Sequence, residues 1–174
     1  MNRREECLLG LDVLWSRYLT VRAAFPYFRA SDIGQHEKRS ARFYRARGKD
    51  LTLKFPTAIT EEDVVELNDA GYWVNQSFVI GVWALLEYHG FVSPLENNRP
   101  GFDHVNILRR LRKVFAHTNG RYNPSSSEER RLFESMVELY RIGSVDDERF
   151  NLQVDEVLHP MLDGVRSYVK ASPA

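Results

Sequence analysis

An all-α fold, an antiparallel helical bundle of about five to six helices in one domain spanning residues 1–174, is what the sequence predicts, and three observations carry that expectation. Apolar residues recur at three- and four-residue steps through most of the chain. Capping residues and glycine or proline stops punctuate those runs, leaving short connections. The 174 residues are 43% hydrophobic and 12% aromatic, enough to build a core and too apolar for a disordered chain.

Arg3–Ala24 reads as the first helix, with Leu8, Leu11, Trp15, Tyr18, Leu19 and Arg22 at recurring positions and Pro26 ending it. Ser31 or Asp32 is placed to cap a second, basic helix over Gln35–Arg47, closed by Gly48. Leu51–Phe55 alternates like a strand, but Pro56 follows directly, so it is assigned to extended loop. The strongest helix runs from Glu61 to His89: Thr60 caps it, Glu61, Glu62 and Asp63 suit its positive first turn, and Gly90 ends it. Its second half is apolar on more than one face, and Trp15, Trp73 and Trp83 read as core or interface. Such a face suits another helix of the same chain or a second copy, and a homodimer is expected.

Ser93–Gly101 is loop by composition. Asp103 then caps a helix over His104–Ala116 whose core stripe is Leu108, Leu111 and Phe115. A capping box, Ser125 with Glu128 or Ser126 with Glu129, opens a helix through Arg141 that Gly143 stops. The last helix ends near Ala171 and begins within a turn before Pro160, with Asp155 as its cap.

Lysine, arginine, aspartate and glutamate balance to zero net charge, but they are segregated. Residues 35–54 hold seven Lys/Arg against two acids, and residues 99–121 hold six against one, so each segment is +5. Charge alone leaves open both a solvated helix face and a polyanion site. Cys7 is the single cysteine, which removes internal disulfides and suits a reducing compartment, so a cytoplasmic location is expected. The N-terminus lacks a secretory pattern. The longest apolar run, Phe78–Leu86, is far short of the roughly 18 residues a membrane span needs, and no membrane partner is expected. Glycine-rich phosphate loops, nucleophile elbows and zinc-helix motifs are absent, and the five histidines show no metal-ligand spacing. No cofactor or metal is expected.

What remains is Leu108-Arg109-Arg110-Leu111-Arg112-Lys113-Val114-Phe115-Ala116-His117-Thr118-Asn119-Gly120. A helix carrying an arginine, a polar residue after it and Ala-His before a loop resembles the HEPN superfamily, whose signature is arginine, four to six residues, then histidine. Arg112 and His117 match with four intervening residues, and Lys113 stands where the family more often has asparagine, aspartate or histidine. The resemblance covers roughly residues 60–170, with the basic segment at about 31–58 as an insertion. It implies a metal-independent endoribonuclease working as a dimer, in some members the toxin of a toxin–antitoxin or defence system with a cognate antitoxin protein. It equally implies members that only bind RNA, a nucleotide or a protein partner. In that scheme His117 takes the proton of a ribose 2′-OH, and Arg112 clamps the phosphate. Lys113, Arg110, Asn119 and Tyr122 stand in support. Arg39, Arg42, Arg45, Arg47 and Arg109 are candidate RNA contacts, with Phe43 and Tyr44 among them as stacking or core aromatics.

Helix geometry adds a constraint of its own. At about 100° per residue, Arg112 and His117 lie about 140° apart, whereas Arg110 and Lys113 lie within about 40° of His117. Arg112 therefore reaches a phosphate beside His117 only across a dimer axis or through unwinding, and Arg110 is the reserve candidate. The structural alternative for the same residues is a snorkelling arginine beside the apolar stripe, with basic groups at the negative end of a helix dipole.

Overall fold

Local sequence periodicity becomes helix along most of the chain. A computed structural model describes residues 2–40, 51–118, 120–123, 125–142, 150 and 152–172. The protein is an all-α helical bundle, and among the described residues there are five α-helices and one small two-stranded sheet. The helices are α1 (Arg3–Ala24), α2 (Glu61–Tyr88), α3 (Phe102–Thr118), α4 (Ser127–Tyr140) and α5 (His159–Ala171). The strands are β1 (Glu37–Arg39) and β2 (Thr52–Lys54). Contacts group the chain into two compact units, one of Met1–Asp12 with Val79–Ala174 and the other of Val13–Phe78.

In the Val13–Phe78 unit, α1 and α2 meet through rings. Trp15 stacks on Tyr18 at 5.2 Å between centroids, and Phe78 lies 4.5 Å from Tyr18. The buried Tyr18 hydroxyl donates to Asn75 Oδ1 at 2.8 Å, which satisfies two polar groups that burial would otherwise penalise. The side chain of Asn68 accepts from the Phe28 N–H at 2.8 Å and donates to the Phe28 carbonyl at 2.9 Å, tying α2 to the turn after α1.

Two expectations fail in this unit. No helix begins at Gln35: Glu37–Arg39 is a strand, and the extended segment assigned to loop is its partner. The strands pair antiparallel with Glu37 opposite Lys54, Lys38 opposite Leu53 and Arg39 opposite Thr52. Lys38 donates to the buried Asp32 at 2.6 Å, and its ammonium lies over the Phe28 ring. For Glu37–Arg39, strand pairing and these Lys38 contacts outweigh local helical propensity. The rest of that run, including Arg42, Phe43, Tyr44, Arg45 and Arg47, lies outside the described residues.

In the other unit, α3 packs against α5 and α4. Its stripe of Val105, Leu108, Leu111 and Phe115 is buried with Met161, Leu162, Val165 and Tyr168 of α5 and Leu132 and Met136 of α4. The α3–α5 approach is close enough to require glycine: a Cβ on Gly164 would clash with the His104 ring. The ends of this unit are tied by Arg4, which donates to the Ser172 carbonyl, and by Arg99, which donates to the Ser172 hydroxyl at 2.7 Å.

Helix ends follow the sequence with small corrections. Thr60 accepts from the Asp63 N–H, and Asp63 accepts in return from the Thr60 N–H at 2.8 Å. Ser126 caps α4 by accepting from the Glu129 N–H. That helix stops at Tyr140, because Arg141 takes the left-handed conformation at φ 53°, before the expected stop at Gly143. A π-helical turn over Val154–Leu158 precedes α5, so helical structure starts at Val154 and Asp155 lies inside it, not at its cap. Trp83 is buried, whereas Trp73 is 63% exposed and is not core. Among the described residues, no helix is long and apolar enough to cross a membrane.

Candidate functional site

The end of α3 and the start of α4 form the walls of an open groove of about 300 Å³. Arg110, Lys113 and His117 line it from α3, and Ser126, Glu128 and Glu129 from the cap and first turn of α4. Val114 and the fully buried Leu132 supply its apolar floor. The three α3 side chains converge because they are spaced three and four residues apart, one stripe of a 3.6-residue helix. Gly120, at φ 77°, lets the chain turn just past α3, a conformation that a residue with a Cβ adopts only at a cost. The Phe150 N–H then donates to the Gly120 carbonyl at 3.4 Å, holding that turn against a later segment.

The basic groups of the groove have different freedom. Arg110 donates to the Glu128 carbonyl at 2.8 Å and to the Ser135 hydroxyl at 3.3 Å, which fixes its fork across the groove wall. Partial burial pulls its pKa below the ordinary arginine value, the charge of Glu128 opposes that, and Arg109 and Arg131 add to it. An arginine so shifted stays protonated near neutrality. Lys113 Nζ lies 3.8 Å from Glu128 Oε1, with both side chains largely in solvent. His117 is exposed in the last turn of α3. Glu129 accepts from the Asn123 N–H at 2.6 Å and is committed to the loop. Two cations and two carboxylates therefore line one groove, with the His117 imidazole beside them.

The structure brings together only part of the set read from sequence. Arg112 is half-buried and does not line the groove, in keeping with its phase on the helix. Arg109 is exposed, donates to Asn106 Oδ1 at 3.0 Å, and is likewise outside the lining. Tyr122 packs its ring 5.8 Å from Phe133 and 5.5 Å from Phe150, as a structural aromatic of the loop. Arg39 is exposed on β1, in the other unit. Asn119, Arg42, Arg45 and Arg47 lie outside the described residues. Glu128 and Ser126 were legible only as members of a capping box, and their place on the groove wall comes from the packing of α4 on α3. Among the described residues, no group of three or more His, Cys, Asp or Glu is gathered for a metal ion.

Chemically, such a groove can hold a phosphate between Arg110 and Lys113 and present His117 to a neighbouring hydroxyl. No family model matches the chain, and neither a curated protein nor a solved structure matches it.

Proposed function

We propose that the groove between α3 and α4 binds an RNA phosphodiester and that His117 promotes its cleavage without a metal. The observation that carries this reading is the convergence of Arg110, Lys113 and His117 on one open groove. Arg110 and Lys113 hold the phosphate oxygens and stabilise charge that grows on them. His117 accepts the proton of the 2′-OH as its oxygen attacks phosphorus. The P–O5′ bond then breaks, the departing 5′-oxygen takes a proton from water to become a 5′-hydroxyl, and the other product is a 2′,3′-cyclic phosphate. This follows the HEPN-like spacing but shifts the same-chain arginine from Arg112 to Arg110. Arg112 reaches an equivalent groove only from a second copy, and a homodimer is part of the proposal. A toxin role with a cognate antitoxin protein is the setting that such an activity suits.

Glu128 and Glu129 favour a second reading, since two carboxylates on the groove wall oppose the extra negative charge that grows on a reacting phosphate. The protein would then be a non-catalytic module that binds RNA, a nucleotide or a protein partner. The purified full chain decides between them when incubated with single-stranded RNA in excess EDTA. The catalytic reading expects products ending in cyclic phosphate, lost by about a hundredfold or more in His117→Ala, the range of general-base catalysis. RNA binding should survive that substitution, because the base acts on the transition state. Equal cleavage by wild type and His117→Ala contradicts it.

A further inference from the structure

The carboxylate of Glu128 has a position that phosphate chemistry alone does not require. It stands on the groove wall opposite the cations, 3.8 Å from Lys113 Nζ, and the backbone carbonyl of the same residue receives Arg110. Its neighbour Glu129 is differently placed, since the Asn123 N–H holds that carboxylate at 2.6 Å. The Glu128 side chain is 71% exposed, so no packing encloses it. The first turn of α4 also favours a carboxylate there in the absence of any ligand.

We propose that Glu128 is the resident counter-ion of the groove, occupying Lys113 until an incoming phosphate takes its place. This rests on the groove being a phosphate site and adds the group that regulates its occupancy. An anion must separate Lys113 from Glu128 and tolerate the carboxylate nearby. Affinity is therefore held down by a charge that belongs to the protein. Selection follows from the same balance: ligands with several adjacent phosphates, which offer more than one negative charge to Arg110 and Lys113, displace Glu128 more readily than a single phosphodiester does.

Inorganic tripolyphosphate is the direct probe, titrated into the full chain by calorimetry beside inorganic phosphate. Glu128→Gln keeps the shape of the side chain and removes its charge. It should tighten tripolyphosphate binding about two- to fivefold at low salt, the size of one partly screened charge. That gain should shrink at high salt. It should also shrink in a Lys113→Ala background, where the counter-ion has lost its partner. Glu138→Gln, an exposed charge farther along α4, controls for overall charge and should change binding less. Tripolyphosphate should bind wild type more tightly than phosphate does. If wild type binds tripolyphosphate and Glu128→Gln binds it no better, the counter-ion proposal is overturned while the phosphate groove stands. If neither protein binds it, both are overturned. An equal gain from Glu138→Gln would also overturn the proposal, because general charge would then explain the effect.

Discussion

His104 illustrates how much a single side chain is asked to do in the α3–α5 contact. Its Nδ1 lies 3.1 Å from the buried Tyr140 hydroxyl, and its ring fills the space over Gly164. Burial lowers the pKa of His104, while the charges of Asp103 and Asp163 partly restore it. The unfolded chain therefore takes up this proton first, near about pH 6.5, and stability falls as pH drops from there through the lower folded pKa. Thermal melting should show a lower Tm at about pH 5.5 than at about pH 7.5, with a smaller difference in His104→Gln. An identical pH response in the variant contradicts that account. Gly164→Ala tests the close approach itself. A better helix former gains about 1 kcal/mol, but the new methyl meets the base of the His104 side chain, not a flexible end. Overpacking of about 1–3 kcal/mol should win, so urea unfolding should show net destabilisation.

At the scale of elements, what was legible in the sequence is what local chemistry decides. The bounds of α1 and α2 follow from apolar recurrence, Pro26, the Thr60–Asp63 cap and Gly90. The stripe of Arg110, Lys113 and His117 follows from helix pitch, and so does the separation of Arg112 from it. The β1–β2 hairpin was not legible, because Lys38 prefers a strand only once Asp32 and Phe28 are in place around it. The groove's acidic wall was hidden for a similar reason: which face of α4 meets α3 is a tertiary outcome that the Ser126–Glu129 box does not encode. Arg141 ended its helix in a left-handed conformation without the glycine that would have announced it. The cap of α4 also supports one groove wall, and Ser126→Ala should cost about 1 kcal/mol of stability, measured by denaturant unfolding. A value near zero would mean that the Ser126–Glu129 hydrogen bond does not stabilise α4.

For the whole molecule, the proposal ties activity to assembly. Trp73 and Ile80 remain exposed on α2, at 63% and 40%, and light scattering should find a dimer at tens of micromolar, a range typical of modest interfaces. If Arg112 serves the groove of a second copy, mixing Arg112→Ala with His117→Ala should restore about a quarter of wild-type activity. Half of the randomly mixed dimers then carry one intact site out of two. Mixtures as inactive as either parent would confine the site to one chain, with Arg110 as its arginine. The most direct measurement of the groove itself is nuclear magnetic resonance of the full chain titrated with an RNA whose 2′-hydroxyls are replaced by hydrogen, so that it binds without being cut. The His117 imidazole and the Arg110 guanidinium signals should shift together along one saturation curve, while those of the part-buried His104 stay in place. If His117 and Arg110 do not move while other basic residues do, RNA binds elsewhere and the groove is not the site.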